Sequence, residues 1–170
     1  MRMFGTDGIR DKAGQGYLSR ENAHRIGKSI GAWLVQCPQV DSDTVIIGTD
    51  TRESSPEIEY YLGAGLRKTG FEAVSYGVIP TPGIAYLSRS KKAALGIVVS
   101  ASHNPWEYNG IKIFSNSGIK LTDQQEDQIQ EIYASQGRGG EALPEYRAVL
   151  EKNTAPLGEY IDFLVSRCKK

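Results

Sequence analysis

Residues 94–112 read ALGIVVSASHNPWEYNGIK. The first seven, Ala94 to Ser100, are the most apolar of the chain's short runs, and their length and composition predict a buried strand. The residues after them are polar and turn-forming. Open α/β sheets place their ligand loops just beyond the carboxyl ends of the strands, and Ser102-His103-Asn104-Pro105 falls there. Pro105 biases Asn104 toward extended backbone and stiffens the loop, so the Ser102 hydroxyl is expected to be presented to solvent.

Upstream, strands alternate with helices. Ala23, Ile26, Ile30 and Leu34 recur at helical spacing between about Ser19, placed to cap, and Gln36, with Pro38 as the stop. Thr44 to Gly48 (TVIIG) predicts a buried strand that leads into Thr49-Asp50-Thr51-Arg52. Ser54 or Ser55 can cap a helix with Pro56 in its first turn, lined by Ile58, Leu62 and Leu66 and stopped at Gly70. Phe71 to Val78 follows as a strand, and Thr81-Pro82 opens a short helix through Ile84, Ala85 and Leu87. The alternation implies parallel pairing, right-handed crossovers, helices on both faces and function at the strands' carboxyl ends.

Downstream the pattern is less regular. Gly110 to Phe114 reads as a short strand, and Thr122 with Gln125 as a capping box ahead of a helix marked by Ile129 and Ile132. Gln136-Gly137-Arg138-Gly139-Gly140 reads as a flexible loop. Leu157, Ile161, Leu164 and Val165 predict a last amphipathic helix running out at Lys169-Lys170.

At 170 residues one domain is expected. Lysine plus arginine and aspartate plus glutamate each number 20, so no overall field favours nucleic acid or an anionic membrane, and any anion must be caught locally. No apolar run approaches the roughly twenty residues of a membrane span, and the N-terminus lacks the apolar centre of a signal peptide, which predicts a cytoplasmic protein. Cys37 and Cys168 have no CxxC or Cys/His spacing and read as plain thiols.

Two chemistries compete for Ser102. A serine hydrolase would use His103 as base, but neighbours in extended backbone point to opposite faces, and no GxSxG elbow is present. His24, the other histidine, falls on a helix and reads as a surface residue. The second chemistry makes Ser102 a phosphate acceptor and donor. A phosphoserine carries about −1.5 to −2 charges at neutral pH and needs cations nearby. Arg10, ending Gly5-Thr6-Asp7-Gly8-Ile9-Arg10, and Lys112, ending Asn109-Gly110-Ile111-Lys112, are the candidates. Taken singly, either cation reads as an ordinary solvated charge, and Asn109-Gly110 as a hairpin turn. Taken with the serine loop, they form one constellation. A dinucleotide-binding domain is excluded because no GxGxxG follows the first strand.

Four motifs, in order, resemble the α-D-phosphohexomutase family: Phe4-Gly5-Thr6-Asp7-Gly8-Ile9-Arg10, Gly48-Thr49-Asp50-Thr51-Arg52, Ser100-Ala101-Ser102-His103-Asn104-Pro105 and Asn109-Gly110-Ile111-Lys112. The resemblance spans nearly the whole chain. It implies the first of four domains, an α/β unit with a mixed, mostly parallel sheet covered on both faces, occupying residues 1–170. It also implies phosphate transfer between the 6- and 1-positions of a hexose through a phosphoserine and a bis-phosphorylated sugar. Ser102 matches the phosphoserine, Lys112 the residue that assists proton transfer, and His103 a further member of the transfer site. Arg10, Asn104 and Asn109 are the expected contacts to substrate or phosphate. Ser100 and Ala101 resemble the members that act on glucosamine phosphates; glucose and mannose phosphates are the alternatives.

The family's magnesium is implied too, held by the Ser102 phosphate and by three aspartates of a DxDxDR motif that this sequence lacks. The only Asp-x-Asp, Asp41-Ser42-Asp43, precedes a strand and reads as a polar loop. The expectation is a chain inactive on its own, partnered by a phosphosugar and by the remaining domains of a parent enzyme. A non-catalytic phosphosugar-binding or interaction module is the competing reading, and the assembly state, a homodimer included, stays open. Lys169-Lys170 reads as a domain boundary.

Overall fold

The computed structural model describes residues 2–37, 41–137, 142–147 and 153–168. Pro38, Arg138 to Gly140 and Lys169-Lys170, to which the sequence assigned a helix stop, part of a loop and a boundary, lie outside these residues. The strands are β1 (Phe4–Gly5), β2 (Gly8–Lys12), β3 (Thr44–Thr49), β4 (Glu72–Val78), β5 (Leu95–Val99) and β6 (Tyr108–Ser115). The helices are α1 (Arg20–Val35), α2 (Ser55–Arg67), α3 (Thr81–Ser90), α4 (Asp123–Ser135) and α5 (Ala155–Arg167). None among the described residues is long and apolar enough to cross a membrane.

One mixed sheet runs in the order β1-β2-β6-β5-β3-β4. Parallel pairing is limited to β3 with β4 and with β5; the β1–β2, β2–β6 and β5–β6 pairs are antiparallel. "Mostly parallel" therefore holds for strand direction, since β2 runs with β3, β4 and β5, but not for pairing. The reason is loop length: only residues 100–107 join β5 to β6, too few for a crossover, which needs a dozen or more. The strand expected at Gly110 to Phe114 extends to Tyr108–Ser115, and Asn109-Gly110 lies in its ladder opposite Asp11 and Arg10 rather than in a turn.

Side-chain alternation splits the core into two layers. Val45, Ile47, Leu95, Ile97, Val99, Ile111 and Ile113 join residues of α1, α2 and α4 in the larger cluster. Ile46 and Val98 project the other way, onto Ile84 and Leu87 of α3 and Tyr160 of α5. Burying each such aliphatic side chain is worth about 1.5–3 kcal/mol. Helices α1 and α2 touch backbone to backbone. A Cβ on Gly27 would stand 2.1 Å from the Leu62 carbonyl oxygen, and one on Gly65 would stand 2.1 Å from that of His24.

Capping follows the sequence at two helices. The Ser19 hydroxyl accepts from the Asn22 N–H, and Thr122 with Gln125 closes a capping box. At α2 neither Ser54 nor Ser55 caps with its side chain; both hydroxyls are used elsewhere. His24 is buried, 2% exposed, not on the surface, because that face of α1 meets α2 at Gly65. In α5 the stripe differs from the expected one. Pro156 and Tyr160 are buried, with Phe163 stacked on Tyr86 at 4.1 Å, while Ile161, Leu164 and Val165 are exposed. Leu157 packs onto the core beside α3 as expected, and the aromatic contacts of Tyr160 and Phe163 to Tyr86 complete the face that orients the helix. Cys37 and Cys168 are free thiols.

Candidate active site

The loop from Ser100 to Glu107 leaves the sheet on β5 and rejoins it on β6, with the Ser100 N–H donating to the Gly110 carbonyl at 2.9 Å. Two turns compact it: Asn104 N–H donates to Ala101, and Tyr108 N–H to Pro105. Gly110 is required by proximity, since a Cβ there would lie 2.8 Å from the Ile9 carbonyl oxygen and 2.9 Å from that of Ser100. Ser102 is exposed and has φ +59°, left-handed backbone that a non-glycine residue adopts at a cost of about 1–3 kcal/mol.

Asp50 and Arg52, just past β3, grip this loop. The Ser102 N–H donates to Ser100 Oγ at 3.0 Å, and the Ser100 hydroxyl donates to Asp50 Oδ2 at 2.7 Å. Arg52 Nε donates to the same oxygen at 3.0 Å, while Asp50 Oδ1 accepts from the Ser55 hydroxyl and the Arg52 N–H. The Arg52 terminal nitrogens donate to the carbonyls of Pro105 at 2.7 Å, Tyr108 and Asn104 at 2.9 Å, and Ser102 at 3.0 Å. Asn109, 0% exposed, donates through Nδ2 to Ser54 and Ser55 Oγ and accepts the Gly110 N–H. The amide expected to touch substrate or phosphate is thus occupied inside the domain.

The two cations come from the β1–β2 hairpin and from β6. Lys112 Nζ lies 2.5 Å from Asp7 Oδ2 at the hairpin tip, and Arg10 lies 3.7 Å from the same oxygen. Arg10 also donates to Asn104 Oδ1 at 3.2 Å, which ties it to the serine loop. Ser102, His103, Asn104, Arg10 and Lys112 therefore belong to one connected surface, with Asp7 as a member that the sequence reading did not assign. His103 does reach Ser102: its Nδ1 is 3.4 Å from Oγ. The expectation of opposite faces fails because the loop turns at Ser102 instead of running extended. The contact is long for a hydrogen bond, and no carboxylate orients the ring among the described residues, so hydrolase geometry is incomplete.

Burial alone would raise the Asp50 pKa, but the hydrogen bonds from the Ser100 hydroxyl, the Arg52 N–H and guanidinium, and the Ser55 hydroxyl outweigh it and lower the value. A carboxylate lowered on folding stabilises the protein above its unfolded value of about 4, and that contribution disappears as pH falls through the folded value. Asp50→Asn is expected to cost about 2 kcal/mol at pH 7. The gap to the unsubstituted chain should close in urea unfolding carried out progressively below about pH 4. A gap independent of pH would contradict the ionised role.

Magnesium does not fit the donors around Ser102 in this chain. Among the described residues no group of three or more His, Cys, Asp or Glu could hold a metal, and of the nearby carboxylates Asp7 is engaged by Lys112 and Arg10, and Asp50 by Ser100, Ser55 and Arg52.

The chain belongs to the phosphoglucomutase/phosphomannomutase family: residues 1–139 match its alpha/beta/alpha domain I. It is 42% identical over 170 residues to the phosphoglucosamine mutase of Clostridium botulinum, covering 99% of this chain and 37% of that protein. It is 43% identical over 162 residues to the phosphoglucosamine mutase of Ruminiclostridium cellulolyticum, covering 95% and 33%. The chain thus spans about a third of the length of these relatives. A phosphoglucomutase/phosphomannomutase family protein from Burkholderia thailandensis superposes with a TM-score of 0.67 at 28% identity, over 78% of this chain and 30% of that one. A putative phosphomannomutase from Thermus thermophilus gives 0.63 at 27%, over 88% and 31%.

Proposed function

We propose that this chain is the phosphoserine-bearing domain of a phosphoglucosamine mutase, an intramolecular phosphotransferase that interconverts glucosamine 6-phosphate and glucosamine 1-phosphate. The observation that carries the reading is an exposed serine hydroxyl, on left-handed backbone at the carboxyl end of β5, in a loop bonded to Arg10. In the forward reaction the O–P bond to Ser102 breaks as the O1 hydroxyl of glucosamine 6-phosphate takes the phosphoryl group, and Lys112 relays the proton, giving one of its own to the departing Ser102 oxygen as it takes that of the hydroxyl. The bis-phosphorylated sugar then returns its 6-phosphate to Ser102. Arg10 and Asn104 bind phosphate oxygens, and His103 steadies the serine oxygen. Phosphate on Ser102 would compete with Asp7 for both cations.

Glucosamine is preferred over mannose or glucose because the relatives at 42–43% identity are phosphoglucosamine mutases, whereas those at 27–28% carry phosphomannomutase names. In the complete enzyme, Mg2+ would bind the Ser102 phosphate together with carboxylates from outside this chain. A cytoplasmic location goes with this reading.

Joining this chain to the downstream domains of the Clostridium botulinum relative tests it. The chimera should convert glucosamine 6-phosphate with Mg2+ and a hexose 1,6-bisphosphate activator, and the chain alone should not. Steady production of glucosamine 1-phosphate by the chain alone would overturn its dependence on other domains. A correctly folded chimera without turnover would favour a non-catalytic module.

A further inference from the structure

Arginine beside a phosphate-carrying serine would ordinarily be read as a phosphate ligand. Arg52 has no donor left for that task. A guanidinium has five N–H donors, and here one goes to Asp50 and four to the carbonyls of Ser102, Asn104, Pro105 and Tyr108. These carbonyls span the loop from the serine to its return into β6. The side chain is 11% exposed, so water does not replace these partners cheaply.

Building on the phosphoserine reading, we propose that Asp50 and Arg52 are positioning residues that hold Ser102 in its left-handed conformation and thereby set where its hydroxyl stands relative to Arg10 and Lys112. Asp50 fixes the clamp to the sheet, because its own N–H donates to the Val99 carbonyl at the end of β5. Its carboxylate accepts a hydrogen bond from the Ser100 hydroxyl, which leaves a Ser100 lone pair for the Ser102 N–H, and Arg52 secures Ser102 from its carbonyl side. Ser102 is held at both backbone polar atoms while its hydroxyl stays outside the clamp. Arg52 is therefore structural toward the loop and functional through it.

Arg52→Lys keeps the charge but removes the planar fork. Two readouts on the full 170-residue chain test the proposal: amide hydrogen exchange at Ser102, and the second pKa of phosphoserine installed co-translationally at position 102, followed by 31P NMR. With the native clamp that pKa should lie below the ordinary value of about 6, because the phosphate is held near two cations. Arg52→Lys should speed Ser102 amide exchange at least about tenfold, leave exchange in β5 unchanged, and return the phosphate toward its ordinary value. Should Arg52→Lys fail to fold, Ser100→Ala and Ser100→Thr decide. The alanine variant should behave as predicted for Arg52→Lys, and the threonine variant, which keeps the hydroxyl, as the parent. An ordinary phosphate pKa with the native clamp would sink the cation-lined site but leave the exchange test standing. Unchanged exchange and unchanged pKa in Arg52→Lys, or in Ser100→Ala if that pair is needed, would overturn the clamp.

Discussion

Ser102→Ala, made in the chimera with the downstream domains of the Clostridium botulinum relative, is expected to lower conversion of glucosamine 6-phosphate by at least about a thousandfold. Losses of that order or larger accompany removal of an enzyme's nucleophile, and a thousandfold corresponds to about 4 kcal/mol of barrier. The substitution separates chemistry from folding unusually well. The Ser102 side chain is exposed, and its oxygen has one long contact, to His103. Its structural bonds run through the backbone N–H and carbonyl, which alanine retains. Urea unfolding should therefore differ from the parent by no more than about 0.5 kcal/mol, as for most exposed substitutions. Activity above about a tenth of the parent's would mean that another group accepts the phosphate.

The second large effect is on stability. Gly65→Ala would place a methyl 2.1 Å from the His24 carbonyl oxygen and 2.8 Å from the Lys28 backbone nitrogen. Alanine gains about 1 kcal/mol over glycine in helix propensity. The obstacle is the backbone of α1, which can move aside only by separating α1 from α2 and opening the core between them. The clash therefore outweighs the propensity gain, and a net loss of about 3 kcal/mol or more is expected in chemical denaturation. Gly158→Ala in α5 is the control: nothing lies within 4 Å of the added carbon, so propensity alone should act, with a gain of about 0.5–1 kcal/mol. Equal effects at the two glycines would contradict the close helix contact.

Much of the fold could be read from local pattern. The period of Ala23, Ile26, Ile30 and Leu34, the Ser19 and Thr122 caps and the apolar run at Leu95–Val99 each act through neighbours in sequence. What escaped reading depends on distant pairing. β1 has two residues and exists only because β2 folds back on it, so no periodicity announces it. In α5 the spacing of Ile161, Leu164 and Val165 suits burial, but Tyr160 and Phe163 meet Tyr86 first.

The site shows the same division. Ser102 and the cations Arg10 and Lys112 were visible as residue types in motifs, whereas the tasks of Asp50, Arg52 and Asn109 were not. Asp50 and Ser100 are fifty residues apart and meet because β3 and β5 are parallel neighbours ending together, Thr49 opposite Val99. A usable signal was present: Thr49-Asp50-Thr51-Arg52 follows one strand's carboxyl end as Ser100-Ala101-Ser102 follows another's, and adjacent parallel strands bring such loops together. Asn109 was expected as a contact from its place in the Asn109-Gly110-Ile111-Lys112 motif and, read alone, as part of a hairpin turn; the ladder between β2 and β6 places it in the sheet, where it is buried.

Peptide mass spectrometry of the chimera, quenched during turnover with glucosamine 6-phosphate and hexose 1,6-bisphosphate, addresses the phosphate carrier directly. A single phosphate on the peptide containing Ser102, absent from the chain treated alone, is the predicted result. A chimera that turns over with Ser102 unmodified and a phosphate on another residue would contradict it.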